Sequence, residues 1–192
     1  MPQFGLRGVY AAKYNNNNGV ISYTGIQHVG DAISANIELS FAEGRLYAED
    51  VRAEYMRKAT GGTISIGVKY IKQAAQTLMF GVTTENQTVG GQSVTNVKLG
   101  GNTEGDYVGI AFYSPDMVDG VKKFSCVLIK KALFGPPSLT RQTMGESITF
   151  QTPTTTGELM GDDSTTRELI VTAVCDTEAA AQAWVRSNLG GT

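Results

Sequence analysis

The chain has 192 residues, 41% of them hydrophobic and 18% charged, which is enough for one domain with a sizeable core and no disulfide or metal staple. Sixteen Lys and Arg against 18 Asp and Glu leave a formal charge of −2, which argues against a protein that grips nucleic acid through phosphates, since that needs a basic face. No run approaches the roughly 18 apolar residues of a membrane span, and MPQFGLRGVYAAKY lacks a basic stretch followed by an apolar one, so a cytoplasmic chain is expected.

Residues 6–14 read as a first strand, closed by the loop at residues 15–19, whose Asn and Gly tolerate positive φ. Residues 32–41 (AISANIELSF) alternate Ile33, Ala35, Ile37, Leu39 and Phe41 against Ser34, Asn36, Glu38 and Ser40. Residues 63–70 alternate in the same way, with Ile64, Ile66, Val68 and Tyr70 on one side. Both patterns predict half-buried strands. Residues 71–80 break that period and place Ile71, Ala74, Ala75, Leu78 and Met79 at helical spacing, with Gly81 as a stop.

Residues 83–105 are polar and glycine-rich, a long loop or a loose hairpin. Residues 107–114 and 121–134 predict two strands joined by a turn containing Pro115, Asp116, Asp119 and Gly120. The second is apolar on both faces (Phe124, Cys126, Leu128; Val127, Ile129, Leu133) and is expected to be covered on both. Residues 146–152 and 167–175 are the last expected strands, and TPTTTGELMGDDSTT between them is expected to be an exposed loop or flexible hairpin. Asp176 or Thr177 then caps a final helix over residues 177–189, with Gly190 just past its end and Trp184 set to pin it to the sheet. The pattern is mainly β with two short helices, a sandwich or an open barrel and not a doubly wound fold.

No catalytic or cofactor-binding set emerges. His28 is the only histidine, no serine sits in a G-x-S-x-G elbow, and the expectation for His28 is a solvated loop imidazole. Cys126 and Cys175 lie far apart in sequence within apolar runs and read as buried reduced thiols, not zinc ligands. The acid pairs Glu49-Asp50 and Asp162-Asp163 sit in polar segments and read as solvated surface, and no glycine cluster matches a phosphate-binding loop.

The segment between the second and third of these strands is different. Residues 43–58 hold four acids (Glu43, Glu49, Asp50, Glu54) and four bases (Arg45, Arg52, Arg57, Lys58), so half of the window is charged at zero net charge. The same window carries Leu46, Tyr47, Val51, Tyr55 and Met56. A solvated hairpin explains the charges but not the large apolar groups, whereas an interface explains both, because contact patches favour aromatic, Met and Arg groups and use charge to fix register. A surface bearing both signs can complement a copy of itself, head to tail.

The run AISANIELSFAEGRLYAEDVRAEY…GGTISIGV resembles the major tail protein (tail tube protein) family of long-tailed, non-contractile bacteriophages and related prophages. Its matching positions are Ala32, Ser34, Ala42, Leu46, Tyr47, Ala48, Glu49, Asp50 and Val51, then Gly61 to Val68. YVGIAFYS, VKKFSCVLIKKALFGPPS, MGESITFQTPTTTGEL and the close ELIVTAVCDTEAAAQAWVRSNL are similar to the family's later elements, with gaps at residues 15–25 and 83–105. The resemblance implies a non-enzymatic virion protein without cofactors, a single tail-tube-type β-sandwich or barrel over residues 1–192 with a flanking helix. It implies hexameric rings that stack into a hollow tube for phage DNA, assembled in the bacterial host cytoplasm and sited in the virion tail. Partners would be the chain itself, the tape measure, tail terminator and distal tail proteins, and DNA passing without specific binding. The hairpin at residues 41–62 would reach neighbouring subunits, and the lumen would be neutral to negative, with Glu38, Asp106 and Glu168 as candidate lining acids on solvent-facing sides of strands. Two other readings are an inner tube of a contractile tail or injection device, and a β-sandwich carbohydrate-binding module using Tyr107 and Tyr113 as an aromatic platform.

Overall fold

A computed structural model describes residues 4–138, 142–143 and 151–191. In chain order the elements are β1 (Arg7–Asn17), β2 (Val20–Gly30), β3 (Ala32–Ala48), β4 (Val51–Val68), α1 (Gln73–Phe80), β5 (Thr83–Val89), β6 (Gln92–Lys98), β7 (Val108–Val118), β8 (Val121–Phe134), β9 (Thr154–Met160), β10 (Ile170–Cys175) and α2 (Glu178–Asn188). All strands but β5 and β6 join one antiparallel sheet in the order β2-β1-β7-β8-β9-β4-β3, with β10 also on β8. Along one edge of β8, residues 124–129 pair with β10 and residues 131–134 with β9.

The two outermost strands, β2 and β3, are consecutive in the chain with only Asp31 between them. The N–H of Lys69 donates to the Asp31 carbonyl and that of Lys72 to the Val29 carbonyl, both at 2.9 Å, so the exit of β4 is tied back to the end of β2. The sheet therefore rolls around one cluster that draws Val9, Val29, Ile64, Ile66, Ile110 and Ile129 from strands across it and Ala75, Met79 and Phe80 from α1. A second cluster forms on the other face, where Tyr113, Phe124, Cys126 and Leu128 lie under Ala181, Val185 and Leu189 of α2. The fold is mainly β with flanking helices, and the sheet is single and continuous, so an open barrel describes it better than a sandwich.

The doubly apolar β8 is covered on both faces as its pattern predicts, by the interior cluster and by α2. Val108 stands opposite Ala132 but Ile110 opposite Ile129, so β8 carries one extra residue around Lys130-Lys131. That bulge switches which parity points inward. Phe124, Cys126 and Leu128 face α2, whereas Ile129, Ala132 and Phe134 face the interior, and Leu133, expected in the inner row, is exposed.

α1 begins at Gln73, and Gly81 closes it in the left-handed region (φ 65) with its N–H on the Thr77 carbonyl. Thr177, not Asp176, caps α2: its Oγ1 accepts the Ala180 N–H at 3.2 Å. Trp184 packs against the second cluster only half-buried, and Ala181, Val185 and Leu189 are the buried anchors.

Residues 20–30, for which the sequence set no element, form β2, and residues 83–98 form the two-stranded sheet β5–β6, the hairpin among the two forms expected there. Other expectations change. Pro115 and Asp116 belong to β7, and the turn is Asp119-Gly120. The stretch at residues 152–166 is not an exposed loop, because its centre is β9, which joins β8 to β4. Its inward positions are Thr155, Gly157 and Leu159, all buried, and a Cβ on Gly157 would press against the Phe134 ring at 2.9 Å. Its outward positions are Thr154, Thr156 and Glu158, which made the whole stretch look polar. Most of the strand expected at residues 146–152 lies outside the described residues, and β10 begins at Ile170.

Candidate assembly surface

β9 ends its pairing with β4 at Gly62, and beyond that point β3 and β4 leave the body as a free ribbon. Eight pairs, from Phe41 and Ala59 to Ala48 and Val51, carry it outward. At about 3.3 Å per residue this arm is roughly 25 Å long. Residues 41–58 are exposed throughout. At its root a Cβ on Gly62 would overlap the Glu38 carbonyl oxygen, so the strands approach closely only because that side chain is missing. A lone two-stranded ribbon is marginal in water.

The arm has two unlike faces. On one, Phe41, Glu43 and Arg45 stand opposite Ala59, Arg57 and Tyr55. Glu43 pairs with Arg45 at 3.1 Å and with Arg57 at 3.6 Å, and the Arg57 guanidinium lies 3.8 Å from the Phe41 ring centroid. Arg45 and Arg52 flank the Tyr55 ring at 6.0 and 5.5 Å. The Tyr55 hydroxyl, then Arg45 and Arg57, hold the Glu43 carboxyl below its ordinary range. On the other face Ala42, Gly44 and Leu46 stand opposite Lys58, Met56 and Glu54, and Leu46 and Met56 are 57% and 75% exposed. Tyr47 and Val51 sit bare near the tip, and Glu49 and Asp50 form the turn itself. Every residue expected at the interface therefore lies on this one element.

Where the arm meets the body, Lys58, Ala59 and Thr60 wall one side of a cleft of about 950 Å³. The other side is Lys131 and residues of the 160–169 loop, among them Asp162, Asp163 and Arg167. Asp162, expected on the surface, is buried. Its Oδ1 accepts the Ser164 hydroxyl at 2.5 Å and the Glu168 N–H at 2.9 Å, which fixes the loop, and its Oδ2 lies 3.8 Å from Lys130 Nζ without a hydrogen bond. Asp163 is exposed as expected, pairs with Lys131 at 2.8 Å and accepts the Tyr14 hydroxyl at 3.0 Å. The Lys131 and Tyr14 hydrogen bonds lower its carboxyl from the usual value. Sequence reasoning missed Lys131, Asp162 and Arg167 as members of one cleft, and the signal for it was two lysines in the middle of an apolar strand.

Of the three candidate lumen acids, only Glu38 lies on a strand, where it accepts from Asn36 Nδ2 at 3.0 Å. Asp106 precedes β7 and pairs with Lys13 at 2.8 Å, and Glu168 precedes β10 and pairs with Lys130 at 3.1 Å. These three stand on or beside three different strands.

No protein-family model matches the chain, and no curated protein matches it. Among the described residues, no helix is long and apolar enough to cross a membrane, and no three His, Cys, Asp or Glu residues are grouped to share a metal. His28 sits on β2, not in a loop, edge-on to Tyr10 at 5.1 Å between ring centroids, and burial with nearby Lys72 lowers its pKa. Tyr113 is buried under α2, where it donates to Glu178 and accepts from Gln182, so it cannot form an exposed platform with Tyr107.

Proposed function

We propose that the chain is a self-assembling structural protein of a bacteriophage tail tube, forming hexameric rings that stack into a conduit for DNA delivery. The observation that carries this reading is the arm. It is a ribbon of eight pairs on which Leu46, Met56, Tyr47 and Val51 stand more than half exposed among the described residues. A second copy is the occupant whose chemistry fits, because the arm carries both signs of charge at zero net charge, as a self-complementary surface must. The rolled sheet suits a wall element, since its interior is filled by α1 and its outer face is braced by α2. A formal charge of −2 suits a channel that lets DNA slide, because each basic contact to phosphate would add affinity and drag. In this reading the protein resides in the virion tail, with other tail proteins as partners, and performs no catalysis.

Negative-stain electron microscopy of the purified protein across concentration, paired with light scattering, tests this. Stacked rings with a channel wide enough for duplex DNA are the expected result. A chain that stays monomeric at the highest attainable concentration would sink the reading.

A further inference from the structure

Among the described residues there are four two-residue hairpin turns with positive φ at both positions: Asn18-Gly19, Glu49-Asp50, Gly90-Gly91 and Asp119-Gly120. Such turns match the twist of their strands and strongly favour Asn, Asp or Gly first and Gly second. Three of the four obey, and the arm tip is the one without glycine. Among the described residues, five that are not glycine have positive φ: Asn18, Glu49, Asp50, Asp119 and Arg167. Asn and Asp tolerate that region, whereas Glu and Arg have no local means of stabilising it. The two ill-suited residues are thus one acid at the arm tip and one base in the cleft at the arm root. Strain of this kind persists where the side chain has a task.

Charge completes the pairing. Lys131 is occupied by Asp163 and Lys130 by Glu168, which leaves Lys58 and Arg167 as the cleft's available cations. Among the described residues neither of these, nor Glu49 or Asp50, lies within ion-pairing distance of an opposite charge. The cleft wall is built in advance: the Asp162 N–H donates to the Glu168 carbonyl at 3.0 Å and the Arg167 N–H to that of Ser164 at 3.2 Å, so the backbone that presents Arg167 is held.

We propose that Glu49 and Asp50 at the arm tip of one copy seat against Arg167 and Lys58 in the cleft of the next copy. This rests on the self-assembly reading above and assigns that assembly its receptor. The tip cannot reach its own cleft, because Lys58 and Asp50 are separated by eight residues of extended strand, roughly 26 Å. The contact is therefore between copies, and head to tail it either closes a ring or carries one ring onto the next.

The test compares wild type with Glu49→Asn/Asp50→Gly, with Lys58→Glu/Arg167→Glu, and with Glu49→Lys/Asp50→Lys combined with Lys58→Glu/Arg167→Glu, by sedimentation velocity and electron microscopy. The first variant removes both acids while giving the turn its preferred residues, so lost assembly cannot be blamed on a broken hairpin. The critical concentration should rise roughly tenfold or more in each one-sided variant and recover in the reversed pair. Wild-type assembly with unchanged behaviour of the first two variants overturns this contact and leaves the self-assembly reading standing. A wild type that never assembles removes both.

Discussion

Cys126 Sγ lies 3.8 Å from Cys175 Sγ, across the diagonal between neighbouring strands β8 and β10. The two thiols are 49 residues apart in the chain and become neighbours because Cys126 stands opposite Ala173 and Cys175 opposite Phe124. They are free thiols, as expected, though not distant ones. Cys126 is buried beneath α2, whereas Cys175 is partly open to solvent. Alkylation of the native protein near pH 8 should label Cys175 well before Cys126, and urea should equalise them, as read by peptide mass spectrometry. Equal native rates would contradict the burial of Cys126.

The same burial predicts alkaline sensitivity. Burial pushes the Cys126 thiol up to about 12, and burial likewise raises the Tyr23 hydroxyl, which donates to the Lys130 carbonyl at 2.8 Å. Both groups are held protonated in the folded state, so their contribution is whole below their unfolded values, about 8.5 for Cys and 10 for Tyr. It is lost as pH rises from there through the folded value of Cys126. Denaturant midpoints should fall steadily above about pH 9, and Cys126→Ala should remove part of that fall.

α1 has eight residues, too few to persist without tertiary contacts. Met79, fully buried within the rolled sheet, is one of its anchors. Met79→Ala should destabilise the fold by about 2–5 kcal/mol, measured by urea unfolding. A loss under 1 kcal/mol would mean that the interior collapses around the gap.

Asp162 holds the loop that ends at β10. Removing its carboxylate as Asp162→Ala leaves the Glu168 N–H and the Ser164 hydroxyl without their acceptor. A destabilisation of about 2–4 kcal/mol is expected, far more than for a surface acid. Hydrogen exchange should quicken locally at residues 162–168, and unchanged exchange there would count against this role.

Arg45 and Arg52 flank Tyr55 on the charged face of the arm. Reversing both to Glu places like charges beside Glu43 and should block assembly while circular dichroism and the thermal midpoint stay near wild type. Normal assembly of that variant would remove this face from the contact.

The strands with strict alternation were legible as strands, as were both helices and their glycine stops, because period and capping are local properties. The half-burial expected of residues 32–41 fails at Ile33, Leu39 and Phe41, which are exposed. β9 was not legible, because Thr154, Thr156 and Glu158 face outward and Gly157 serves the Phe134 ring, a contact only the fold creates. The parity switch in β8 was hidden for a similar reason: a bulge is visible only against its partner strand. The arm was legible as a mixture of charge and bulk, but its division into a paired face and a bare face needed the register of β3 on β4. The cleft joins β4, β8 and the loop before β10, three segments that no local pattern links.

The sheet order has a consequence for biosynthesis. β7, β8 and β9 occupy the middle of the sheet but are translated after β1 to β4, which form its two flanks. A ribosome making 5–20 residues per second needs roughly 5 to 20 s to travel from the end of β4 to the end of β9. Hairpins close within microseconds, so during that interval the nascent chain samples two hairpins, marginal on their own, whose inner edges, on β1 and β4, have no mate. Yield in a recombinant host should therefore rise with slower initiation or with chaperones that shield strand edges, and the arm is complete well before the wall that carries it.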